Sequence, residues 1–376
     1  MIEDIPVVNG IVHAWNIDPS NITGKGPWNT GQRIVEGDMI GWHRNWNLPG
    51  MSVPMSAYRT DWSAEMVART IFLESETDLA VHHHIAVYSI FKDGLCSIAK
   101  NEEMVRRWPG RFITYAGVDP TAGIPQAIES LKRQVESIPS TAGLKLYPAQ
   151  VDPVRWFLMD DEEVFPLYEA ARDLGLKVIA VHKAMPTGPV PMLPFKMSDI
   201  DGAANAFPEL NFEVVHGGVA FIEETAFQIA RYPNVYTNFE VTSALLNSAP
   251  GWFEQIMAQF LFWGGPRKII WGDGSPFVHP QPLLRKFWNF EFSKEMLDKY
   301  HIPQITREDK ARILGQNYAD LIGLDLPGAV ERIAADEFSQ ERRAKGLAQP
   351  YSNWRRWAGV APDATMDGAP AALVAS

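Results

Sequence analysis

Short runs of apolar, largely β-branched residues recur along this chain, and most are followed by an amphipathic stretch. They occupy residues 6–15, 79–88, 112–118, 143–147, 177–182, 211–216, 235–241 and 268–271. A continuous apolar run suits a strand buried on both faces, as in a parallel sheet. Helical patterns fall at 104–108 with the turn before it, 124–136, 162–174, 222–231 and 242–262. A last helix, 306–322, opens with Thr306 and Asp309 in capping-box spacing, where Glu or Gln is the usual partner. Eight strand-like runs with mostly helical connections predict an α/β chain closed into a (β/α)8 TIM barrel. The rival is a doubly wound open sheet, but no Gly-rich dinucleotide fingerprint follows the first run.

Two segments exceed a minimal barrel. Residues 16–64 form a long insertion after the first strand, rich in Trp, Pro, Gly and Asn. Such an insertion leaves the barrel at its C-terminal mouth, so it is expected to cover the pocket there. Trp28, Trp42, Trp46 and Pro49 would supply apolar area and Arg44 a fixed charge. The expected organisation is a barrel over 1–324 and a helical C-terminal extension over 325–376. In that extension Trp354, Arg355, Arg356 and Trp357 would pack on a neighbouring subunit or on the chain's own barrel, and the last dozen residues are expected to be disordered.

Composition removes several classes of function. The formal net charge of −11 is spread along the chain with no basic stripe, which excludes nucleic acid as a partner. Cys96 is the single cysteine, so no internal disulfide and no thiolate-rich metal site can form. Residues 1–8 show no signal-peptide pattern, and no run approaches the roughly 18 apolar residues of a membrane span. A cytoplasmic, homo-oligomeric protein acting on a small molecule is expected.

The polar residues carry the functional reading. His13, His182 and His216 fall at or near the ends of apolar runs, and Asp273 follows the last run almost directly. In a barrel these are the C-terminal mouths of strands, where active sites of this fold gather. Imidazole and carboxylate together suit Zn²⁺, Mn²⁺ or Fe²⁺.

Several fragments, in this order and spacing, are similar to one family. They are Arg107-Trp-Pro-Gly-Arg-Phe112 leading to Gly117-Val-Asp-Pro120, then Gly143-Leu-Lys-Leu-Tyr-Pro148 and Val181-His182. Val215-His216-Gly217-Gly218, Trp271-Gly-Asp-Gly-Ser-Pro276 and Ile313-Leu-Gly-Gln-Asn-Tyr318 complete the set. Over residues 6–324 the chain resembles the amidohydrolase superfamily, in the branch that holds aminocarboxymuconate-semialdehyde decarboxylase and the aromatic-acid decarboxylases. The resemblance implies one divalent metal ion held by His13, His182 and Asp273, with His216 as the proton-transfer group and Asp273 as a further catalytic residue. The family's first strand normally offers two ligands one residue apart; here Ile11 stands where the first should be.

Other residues complete the candidate set. Alternation sends His82 and His84 to one face of their strand and His83 to the other, for packing or to replace the missing ligand. Lys145 reads as a bridging carboxylated lysine, a structural group or a substrate contact. Glu240 reads as a partner orienting an imidazole or a polar group at the mouth, and His279 as a rim residue. Trp42, His43, Arg44 and Arg59 are candidates for gripping an aromatic or anionic substrate, with Arg as the better carboxylate fork. The reaction expected is non-oxidative decarboxylation of a small aromatic or unsaturated carboxylic acid. The alternatives are metal-dependent hydrolysis of an amide, ester, lactone or C–C bond, and a metal-free or non-catalytic barrel.

Overall fold

The structure, a computed structural model, describes residues 1–23 and 29–358. Trp28 and the Ala/Pro-rich end lie outside the described residues. Eight parallel strands follow one another around a nearly closed barrel. They are β1 (Val8–Val12), β2 (Leu79–His83), β3 (Phe112–Gly117), β4 (Gly143–Leu146), β5 (Val178–His182), β6 (Asn211–Val215), β7 (Val235–Asn238) and β8 (Ile269–Ile270). Each pairs in parallel with the next, for example Gly143 with Val178 and Val181 with Val214. The seam between β1 and β8 is bridged by Gly10 N–H to Trp271 O at 2.8 Å. Glycine is required at that crossing, since a Cβ on Gly10 would stand 2.8 Å from Trp271 O.

The apolar runs became strands because both faces are buried. All five residues of β1, β2 and β5 are buried. Inside the barrel, Val8, Ile11, Leu79, Val81, Val178, Val215 and Ile270 form an apolar plug, closed at the N-terminal end by Tyr318, Leu321 and Leu326. A larger core fills the space between the sheet and the surrounding helices. Among the described residues no helix is long and apolar enough to cross a membrane.

Some expected helices differ in extent. The 242–262 pattern is a short turn, Leu245–Ser248, and then Pro250–Trp263, because Ala249 leaves the helical region before a proline that opens the second helix. The capping box at Thr306 is complete with aspartate: Asp309 N–H donates to Thr306 Oγ1 at 3.1 Å, and Thr306 N–H donates to Asp309 Oδ2 at 3.0 Å. A hairpin of Ala149–Val151 and Val154–Trp156 follows β4 and was absent from the sequence reading.

The C-terminal segment straps the barrel's own outer face. Arg111 donates from Nε and Nη2 to both carboxylate oxygens of Asp336. Trp354 is buried, whereas Trp357 is exposed. Buried Glu74 accepts the backbone N–H groups of Tyr351 at 2.6 Å and Asn353 at 2.8 Å, and the His279 Nε2 proton at 3.1 Å. Replacing Glu74 by Leu leaves these donors buried without an acceptor. The expected loss is about 3 kcal/mol of unfolding free energy, read by urea denaturation. An unchanged midpoint would show that the strap carries no stability.

Candidate active site

Each functional side chain is delivered by the end of a strand. His13 follows β1, His182 closes β5, His216 follows β6 and Glu240 lies two residues beyond β7. These four line one cavity of about 80 Å³, walled by Trp15, Tyr147, Phe91, Phe195 and Phe277. From the insertion come Ile34, Asp38, Met39 and Trp42, so this segment covers the mouth.

The polar groups form a continuous chain. His182 Nε2 lies 2.8 Å from Met185 O, with Thr187 Oγ1 at 3.3 Å. His182 Nδ1 meets His216 Nε2 at 2.7 Å, and His216 Nδ1 pairs closely with Glu240 Oε2. On the other side His13 Nε2 is 3.5 Å from Glu240 Oε1. A carbonyl can only accept, so Met185 O requires the proton on His182 Nε2. A neutral His182 then accepts at Nδ1 from His216 Nε2–H. A proton on His216 Nδ1 would face Glu240 Oε2 and give that buried carboxylate its counter-charge.

The electrostatics agree with this order. Burial holds His182 well below the usual histidine range, keeping it neutral. Burial works to raise Glu240, yet His216 and His13 hold it well below the ordinary carboxylate value. Burial also lowers His13, with Glu240 opposing. His13 Nδ1 and Trp15 Nε1 are buried without a partner, which leaves them for a ligand.

The backbone is strained where these side chains are aimed. Ala184, His216 and Val241 have φ of 62°, 66° and 65° just beyond β5, β6 and β7. Non-glycine residues, above all β-branched ones, avoid this region, and such strain gathers at functional sites.

The other expected residues lie elsewhere. Asp273 is buried and does not line the cavity. Its Oδ1 accepts Ser275 N–H at 2.9 Å, its own N–H donates to Asn9 Oδ1 at 3.2 Å, and burial pushes the carboxyl up to about 7. Lys145 is buried beside the cavity without lining it; burial lowers its ammonium, with Glu240 and Glu213 opposing. His83 enters the barrel and stacks on Tyr115, while His82 accepts Ala14 N–H and bonds Asn101. None of the three adjacent histidines, His82 to His84, lines the cavity.

The arginine candidates lie outside the cavity. Trp42 and Trp46 stack one turn apart and both meet Phe277 edge-on. Arg44 is rotated roughly 200° from Trp42 and is exposed to solvent. Arg59 pairs with Glu36 and Gln32 outside the cavity. His43 is a buried strut that accepts Val53 N–H and donates to Phe277 O. His279, expected at the rim, is fully buried on Glu74. Asn9, Asp38 and Met185 were missed, since none sits in a pattern that marks a strand end.

The Amidohydrolase family profile matches residues 72–324. The chain belongs to the amidohydrolase family. It is an enzyme of that family. No curated protein sequence matches it. Among solved structures it is similar to an uncharacterized TIM-barrel protein from Bordetella bronchiseptica, at 16% identity over 87% of this chain and 100% of that one, with a TM-score of 0.61. It is similar to a 2,6-dihydroxybenzoate decarboxylase complexed with 2,6-dihydroxybenzoate, at 13% identity over 85% and 100% of the two chains, TM-score 0.50. A dihydroxybenzoic acid decarboxylase from Polaromonas sp. JS666, with bound manganese and 2-nitroresorcinol, matches at 12% identity over 88% and 99%, TM-score 0.50. These likenesses carry the fold.

The donors in this chain do not fit the metal expected from the resemblance. Both ring nitrogens of His182 are engaged, by Met185 O and by His216. Asp273 lies off the cavity that His13 and His182 line, and Ile11 belongs to the apolar plug. Among the described residues no three His, Cys, Asp or Glu side chains are arranged to hold a metal ion. Protein purified without chelators is therefore expected to carry no stoichiometric zinc, manganese or iron by plasma mass spectrometry. A stoichiometric ion that disappears in His182→Ala would restore the set His13, His182 and Asp273.

Proposed function

We propose that this enzyme is a non-oxidative decarboxylase of a small aromatic carboxylic acid, with the His216–Glu240 pair as its proton source. The observation that carries the reading is the array from Met185 O through His182 and His216 to Glu240, set in an aromatic-walled cavity. Loss of CO₂ from an arene carboxylate needs a proton delivered to the ring carbon that bears the carboxylate. The His216–Glu240 pair supplies it by releasing the proton between His216 Nδ1 and Glu240 as that contact opens, the C–C bond to the carboxylate breaks, its electron pair returns to the ring and CO₂ leaves. His216 and Glu240 regain the proton from water. Neutral His182, fixed by Met185 O, orients the donor and does not compete for its charge.

The walls support the same direction. Among the described residues lining the cavity there is no Lys or Arg. A carboxylate entering it gives up hydration and gains only the nearby imidazolium, a cost that loss of neutral CO₂ relieves. The unpartnered His13 Nδ1 and Trp15 Nε1 are available to position the ring substituents. The proposed catalytic and binding residues are thus His216, Glu240, His182, His13, Trp15 and Trp42.

Incubation with 2,6-dihydroxybenzoate and other hydroxybenzoates in D₂O is expected to release CO₂ and leave one deuterium where the carboxylate was. Changing His216 to Asn should lower kcat by about 10²- to 10⁴-fold, the usual contribution of a positioned acid. Hydrolysis of an ester, amide or lactone, with no CO₂ from any acid, would move the enzyme to the hydrolase side of its family.

A further inference from the structure

The described part of the insertion brings one charged side chain to the cavity, and the chemistry above does not use it. Asp38 lies on the π-helical segment Ile34–Ile40 and faces the cavity with Ile34, Met39 and Trp42. Such widened turns cost helix geometry and are frequent at functional sites. Among the described residues no group donates a hydrogen bond or a charge to the Asp38 carboxylate. Arg33 borders the outer opening with it, yet burial alone acts on the group, pushing it up to about 6. At neutral pH it is therefore a half-buried carboxylate against apolar walls, solvated from the outer opening and with no protein donor on its cavity side.

We infer that Asp38 is a specificity-determining residue that accepts a hydrogen bond from a hydroxyl group on the substrate ring. A hydroxyl fits better than an ammonium, because a cation costs more to strip of water on entering this small, apolar-walled cavity. Trp15, Trp42 and Phe277 offer faces and edges to the ring while Asp38 selects its substituent. The inference rests on the aromatic substrate proposed above and adds the group by which one ring is told from another.

The test is binding without turnover. Resorcinol and m-xylene share a ring and a substitution pattern, and differ in having two hydroxyls or two methyls. Their affinities can be read by calorimetry or by quenching of Trp15 and Trp42 fluorescence. Asp38→Leu is expected to weaken resorcinol relative to m-xylene by about tenfold or more, the usual worth of a hydrogen bond to a charged acceptor. Retained m-xylene binding reports a folded cavity. Should the Leu variant fail that check, Asp38→Asn is expected to shift the ratio in the same direction. A resorcinol to m-xylene ratio unchanged by the folded variant overturns the assignment. Because neither probe reacts, a shifted ratio together with no CO₂ from any acid would keep Asp38 and remove the decarboxylase reading instead.

Discussion

The mouth of this barrel is organised around one buried carboxylate. Glu240 is 2% exposed, and an isolated ion at such a site costs several kcal/mol. The offset comes from imidazoles brought by other strands: His216 at one oxygen and His13 at the other. His216 can serve only if its ring is turned inward, which its left-handed backbone achieves, and only if its far nitrogen has an acceptor, which His182 provides. The loop after β8 must also close over Glu240. A Cβ at Gly274 would come within 2.4 Å of Glu240 Oε1, so that position, at φ 68°, takes glycine.

A second buried carboxylate governs how the mouth is covered. Glu74 binds the C-terminal strap and His279, whose N–H donates to Asn47 of the insertion at 2.9 Å. Asn47 and His43 both hold Phe277 O, and Phe277 is a wall of the cavity. Strap, insertion and cavity wall are thus linked through fully buried hydrogen bonds, each expensive to leave unmade. The strap lies after the segment that matches the family, yet it acts on the position of the aromatic wall.

Most of the architecture was legible in the sequence because it rests on repetition. Buried parallel strands demand unbroken apolar runs, and a barrel demands polar side chains at their ends, so His13, His182, His216 and Glu240 could be found by position alone. What could not be read depends on where a ring or a loop turns after the strand stops. Asp273 has the right type and place, but its Oδ1 accepts Ser275 N–H and its side chain does not line the cavity. Arg44 has the right charge, but two stacked tryptophans fix its helix with that residue outward. Met185 directs the protons through a backbone carbonyl, which leaves no trace in side-chain identity. Asp38 sits in a widened helical turn that no apolar period marks.

Ile11 shows how a single departure from the family pattern becomes consistent with its surroundings. It packs in the apolar plug, and its Cγ2 lies within 2.9 Å of where a side chain on Gly272 would begin. A ligand restored at that position would face His182 with Nε2 already donating to Met185 O and Nδ1 already accepting from His216. For a metal to bind, His182 would have to break one of these bonds. Releasing Nδ1 leaves the buried His216–Glu240 pair without its neutral acceptor, and releasing Nε2 strands a buried carbonyl, each at about 1–3 kcal/mol. Metal ligation and proton storage therefore compete for the same imidazole. With Ile11 in place of a donor and Asp273 Oδ1 bonded to Ser275 N–H, the reading proposed above gives this imidazole to the proton.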